Sequence, residues 1–151
     1  MRRAKLVNFE IFSPYLLTIL IAWIGAHTIK YVFSSIKREK LNLRSHLFIS
    51  GGMPSGHSAT TMAMATIIGL RDGLGSGIFG LALLFAIIVM YDALKVRRSS
   101  GEQGEAIHGL IKEGKSTVKL PRVAKGHTPL EVVLGAVFGV VIGIVVFLST
   151  K

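Results

Sequence analysis

Three long uncharged runs constrain this chain more than any other feature. Residues 11–29, 73–91 and 132–150 each form a nineteen-residue stretch without Asp, Glu, Lys or Arg. About 20 apolar residues carry a helix across roughly 30 Å of hydrocarbon, whereas a soluble domain of this size would show amphipathic periodicity. A fourth stretch, residues 45–70, is equally uncharged but contains Pro54 and four glycines. The 151 residues therefore read as one integral membrane domain, 1–151. Its expected fold class is all-α: a helical bundle of about four transmembrane helices plus a short interfacial helix. The basic start, Met1-Arg2-Arg3-Ala4-Lys5, looks like the head of a signal peptide. The apolar run behind it is longer than a typical h-region and passes into Lys30 and Tyr31 without a small-residue cleavage site, so it reads as a retained helix.

The net charge of +10 does not point to nucleic acid, because the basic residues cluster in loops between apolar segments. Membrane lipids with anionic headgroups, or phosphate itself, are the better partners. The absence of cysteine excludes disulfides, thiolate metal sites and thiol nucleophiles. Helices are expected over residues 14–35, 55–70 and 78–96 and from Thr128 onward, with a tight hairpin over 73–77. In the polar segment 97–126, Ala106, Ile107, Leu110 and Ile111 recur at helical spacing and mark the interfacial helix. From His57 to Leu70 is fourteen residues, about 21 Å of helix, so the start of the second helix is expected in a sunken cavity. If the four apolar segments all cross, the loop 37–44 and the segment 97–126 share one strongly basic side. The positive-inside rule then puts that side in the cytoplasm, at the cell membrane.

The chemistry-bearing residues gather at two helix starts. Gly51-Gly52-Met53-Pro54-Ser55-Gly56-His57-Ser58-Ala59 offers a capping Ser55, a permissive Gly56 and the titratable His57. Free backbone N–H groups beside an imidazole suit a bound phosphate, although for a lone His a plain helix start with an interfacial imidazole is the better account. The second start is Gly126-His127-Thr128-Pro129-Leu130-Glu131. Thr128 and Glu131 form a capping box with Pro129 at the first helical position. Glu131 also stands one turn after His127, where its carboxylate can set the imidazole's tautomer. Glu131, Gly135, Gly139 and Gly143 share one helix face, which suits close helix packing and offers a homo-oligomer contact. Near the end of the third helix, Asp92 pairs with Lys95 at i,i+3 or joins a site. Arg97 and Arg98 serve as interface anchors or as phosphate clamps. Lys30 and His27 share a face of the first helix with Trp23, where ionisable groups at membrane depth suggest function.

These motifs resemble those of the divergent PAP2 family, small membrane proteins related to acid phosphatases and vanadium-dependent haloperoxidases. The resemblance rests on Gly-Gly-Met-Pro-Ser-Gly-His-Ser-Ala, on Val-Met-Tyr-Asp-Ala with Val-Arg-Arg, and on Gly-His-Thr-Pro-Leu-Glu-Val, and it covers most of the chain. Lys37 and Arg44 have the spacing of the Lys-x6-Arg-Pro motif of type-2 phosphatidic acid phosphatases, with Ser45 in place of Pro. Pro54 to His57 is intact. In the third motif His127 fits the nucleophile, Glu131 replaces Asp, Pro121 replaces Ser, and Arg122 lies one residue too close to His127. The resemblance implies a phosphatase acting on a lipid phosphate or pyrophosphate monoester through a phosphohistidine, without metal or cofactor. His127 would be the nucleophile oriented by Glu131, and His57 the general acid and base. Lys37, Arg44, Ser55, Gly56, Arg97, Arg98 and Arg122 would bind phosphate, supported by Lys30 and Asp92. The motif departures favour one alternative, a non-enzymatic membrane protein binding anionic headgroups or phosphate at a degenerate PAP2 site. A haloperoxidase-like oxidant ranks third, since nothing in the chain suggests a halide or peroxide pocket.

Overall fold

The computed structural model describes residues 13–36, 52–120, 123 and 126–151. Lys37, Arg44 and Arg122, with the basic loop and the N-terminal basic residues, lie outside the described residues. Among the described residues all regular structure is helical. In chain order the elements are α1 (Pro14–Ile36), α2 (Gly56–Asp72), α3 (Gly77–Tyr91), a π-helical turn (Asp92–Val96), α4 (Arg97–Glu113) and α5 (Pro129–Ser149).

The starts of α2, α3 and α5 each follow from a side-chain oxygen in the residue before the helix. The Ser76 hydroxyl accepts the Phe79 N–H at 3.3 Å and starts α3. Ser55 does the same for α2 through the Ser58 N–H at 3.4 Å. Thr128 starts α5 with a complete capping box and Pro129 behind it. These caps satisfy amides that the helices cannot bond internally.

Among the described residues three helices are long and apolar enough to cross a membrane: Pro14–Ile36, Pro129–Ser149 and the continuous 37-residue helix Gly77–Glu113. With 17 residues, α2 reaches only about 25 Å. The polar helix expected to stand apart is instead the direct continuation of α3 through the π turn. No proline or capping residue separates Val96 from Arg97 and Arg98, so the backbone ladder runs on while the side chains change from apolar to polar.

Helix α2 is the hub, packed against α1, α3 and α5. Its antiparallel relation to α1 is fastened at one end by the Tyr15 hydroxyl, which donates to Asp72 at 2.8 Å. At the same end Arg71 donates to the carbonyl and hydroxyl oxygens of Thr150, both at 2.6 Å, tying α2 to the end of α5. Between these two helices a ladder of small residues runs in parallel register. A Cβ on Gly135 would collide with the Ser55 carbonyl, and one on Gly139 with the Ala59 carbonyl. One on Gly143 would come within 2.9 Å of the Ala63 carbonyl. The close approach these glycines allow is thus spent within the chain. On the far side α1 contributes buried Thr18, Ala22 and Ala26, again four residues apart. The large apolar side chains, Leu81, Leu84 and Ile88 among them, point outward, as expected where hydrocarbon is the solvent.

Replacing Gly139 by Val should therefore destabilise the protein by at least about 1–3 kcal/mol through overpacking. The same change at exposed Gly80, where a Cβ meets nothing within 4 Å, should have little effect. Thermal unfolding in detergent separates the two, and equal melting temperatures would refute the ladder as the main packing contact.

Candidate functional site

The ladder sets the starts of α2 and α5 side by side, and a backbone hydrogen bond locks them: the Ser55 N–H donates to the Glu131 carbonyl at 3.0 Å. Ser55 is fully buried, and its hydroxyl also accepts from the Ser58 hydroxyl at 3.0 Å. The Ser55 N–H is therefore committed to α5, and its hydroxyl oxygen accepts both the amide and the hydroxyl of Ser58. Gly56 and His57, one and two residues on, line the cavity.

His127 is brought in by three contacts. Its backbone N–H donates to the Ala93 carbonyl of the π turn at 3.0 Å. Gly126 makes this approach possible, because a Cβ there would come within 2.7 Å of the Arg98 Cα. The ring is then held by Glu131, whose Oε2 accepts from His127 Nδ1–H at 3.0 Å and from the Thr128 N–H at 3.1 Å. Capping and orienting the imidazole are thus one arrangement. Since a carboxylate only accepts, the proton lies on Nδ1, and Nε2 of the neutral ring carries the lone pair. His127 is only 3% exposed. This burial holds its pKa below the ordinary histidine value, against the opposing hydrogen bond and charge of Glu131; Lys30 and Arg97 lower it further.

The π turn also positions Arg97. Residues five apart on an α-helix diverge by about 140°, but the wider turn brings them onto one side. Arg97 Nε donates to Asp92 at 2.6 Å. Asp92 is therefore the partner of Arg97, where the sequence equally suggested an i,i+3 pair with Lys95. Arg97 lines the cavity, whereas Arg98 makes an exposed 3.2 Å pair with Glu102 within α4.

The result is a cavity of about 430 Å³ into which His57, His127, Arg97, Gly56 and Lys30 converge. The His57 and His127 rings stand 6.4 Å apart, centre to centre, at 66°. Lys30 reaches in past Gly52, whose φ of 87° lies in the left-handed region and where a Cβ would sit 2.8 Å from Lys30 Cε. His27 and Trp23 of α1 also line the cavity, although the motifs gave no reason to include them. The signal available was their spacing with Lys30 on one helix face. His27 Nδ1–H donates to the Trp23 carbonyl at 2.8 Å, and the two rings lie 4.4 Å apart. A Cβ on Gly56 would fall 3.2 Å from His27 Cε1, so α2 begins alongside the middle of α1. Helix α1 continues nine residues beyond His27 to Ile36, about 13 Å. The site is sunken below that end.

Residues 12–142 match the model of the divergent PAP2 family. The chain belongs to the divergent PAP2 family. It is 36% identical to the uncharacterized membrane protein YuiD of Bacillus subtilis (strain 168), over 93% of this chain and 94% of that one. No solved structure matches the chain. With the three apolar helices, these similarities make it a PAP2-like integral membrane protein.

The electrostatics make a signed prediction. In a histidine-resolved NMR titration in detergent, His127 should titrate below 6.5, and Glu131→Gln should lower its pKa further by removing the group that favours the cation. Because the folded state resists protonation there, His127 makes the fold less stable as pH falls below about 6.5. A value above 6.5, or a rise in the variant, would refute this account of the pair.

Proposed function

We propose that this protein is a membrane phosphatase that hydrolyses a lipid phosphate or pyrophosphate monoester through a phosphohistidine, without a metal. The observation that carries this reading is the Glu131–His127 pair. It leaves Nε2 as the nucleophilic atom, in a cavity that also holds His57 and Arg97. Membership in a PAP2-related family supports it, as does the burial that keeps His127 neutral.

In the first step His127 Nε2 bonds to phosphorus while the ester P–O bond breaks, and His57 gives its proton to the departing oxygen. Glu131 stabilises the cationic imidazole that forms. In the second step His57 takes a proton from water, the hydroxyl oxygen bonds to phosphorus, and the P–N bond breaks. Inorganic phosphate leaves and both histidines return to their starting states. Arg97, Lys30 and the amides at the start of α2 would balance the phosphoryl oxygens as charge shifts. The excess of Lys and Arg on the motif-bearing side favours a site facing the cytoplasm.

The test is inorganic phosphate release by detergent-purified protein from a panel of lipid phosphates with EDTA present. Release should survive EDTA, disappear in a folded His127→Ala variant and fall about 10²–10⁴-fold in His57→Ala. Full activity of His127→Ala would remove the nucleophile assignment. Saturable vanadate binding with no release from any lipid would favour the binding-protein reading instead.

A further inference from the structure

The same cavity is graded along the membrane normal, and the grading runs the same way on three helices. On α1, Trp23 and Ala26 lie farther from the motif-bearing end than Lys30. On α2, Thr60 and Thr61 lie one turn below Gly56 and His57. On α3, Phe85 and Val89 lie below Arg97. The cationic and imidazole side chains therefore lie in the upper part of the lining, with Pro54 and Gly56 beside them, and the lower part is largely apolar. The two threonines do not break the pattern. Their hydroxyls donate to the Gly56 and His57 carbonyls at 2.8 and 2.9 Å, so their protons are spent on the helix itself.

The lower part is also open to the side. Helices α1 and α3 form its two walls and α2 its floor, and each wall packs mainly on α2 rather than on the other. Trp23 and Phe85 line the cavity yet remain 45% and 58% exposed, so the rings stand at a lateral opening at membrane depth. A small water-soluble phosphate would use only the upper part. An amphiphile with one polar end uses both.

We infer that the cleft between α1 and α3 seats the substrate's hydrocarbon chain, which enters sideways from the bilayer and runs between Trp23 and Phe85 beneath the two histidines. This rests on the phosphatase reading only for what lies above the cleft. The chain contacts would be apolar and unspecific in direction, so they tune preference for chain length and bulk and leave the phosphoryl chemistry to the upper wall. Trp23, Ala26, Phe85 and Val89 are then specificity-determining residues.

Dodecyl phosphate carrying a diazirine on the first carbons of its chain, photolysed on the detergent-purified protein and mapped by mass spectrometry, tests this without needing turnover. The expected label falls on residues 23–26 and 85–89 and is removed by excess dodecyl phosphate. Label spread over the outward faces of α3 and α5, and unaffected by competitor, would overturn the proposal. As a kinetic check, Val89→Trp should lower the kcat/KM ratio of dodecyl phosphate over methyl phosphate at least about tenfold, with the loss mainly in KM. An unchanged ratio in a folded variant would overturn it too. If the protein releases phosphate from neither compound but the label still maps to the cleft, the phosphatase reading fails and the chain seat stands.

Discussion

The contact between α2 and α5 is the constraint on which the rest depends. Within a bilayer, helices gain nothing by hiding apolar side chains from a solvent that is itself apolar, so association depends on close packing and hydrogen bonds. Here Gly135, Gly139 and Gly143 let the α5 backbone lie directly on the backbone of Ser55, Ala59 and Ala63. That register leaves the Ser55 amide opposite the Glu131 carbonyl. Directly after Ser55 come Gly56 and His57 of the cavity lining, and one helical turn before Glu131 stands His127, behind the Thr128–Glu131 box. A side chain anywhere on the ladder would separate the two histidines as surely as it would loosen the bundle.

The second device is the π turn between α3 and α4. It lets a transmembrane helix continue past the site while changing which residues share a face. Asp92 and Arg97 become neighbours, and the Ala93 carbonyl receives the His127 amide. Such insertions cost helical regularity and are found disproportionately at functional positions. Gly126 completes the join by letting the segment before α5 touch the backbone of Arg98. The π turn and the start of α5, distant in sequence, are thereby joined at His127.

Sinking the site below the end of α1 lets polar and apolar side chains line one cavity. The short α2 begins beside the middle of α1, and the longer α1 and the α3–α4 helix stand on either side. Charged and imidazole groups then sit near the motif-bearing end. The walls below them become apolar at the depth where lipid chains lie.

The sequence by itself determined everything that repeats along the chain or acts within one turn of helix. The uncharged runs set the membrane helices, Ser55, Ser76 and Thr128 set their starts, and the one-turn spacing of His127 and Glu131 set their hydrogen bond. The glycine face was legible because it recurs every fourth residue. Tertiary structure alone decided what lay across the bundle. It chose α2 as the partner of the glycines, tied the Ser55 amide to Glu131 and drew His27 and Trp23 into the cavity. The π turn gave Asp92 to Arg97, whereas the Arg98–Glu102 pair is a local i,i+4 contact within α4. The physical reason is range. Caps and i,i+4 pairs are fixed by local geometry, whereas an inter-helix register depends on side chains far apart in sequence, and a π turn has no residue signature of its own. The expected break after the third helix failed for that reason: the change from apolar to polar side chains marks an environment, and the backbone hydrogen bonds continue through it.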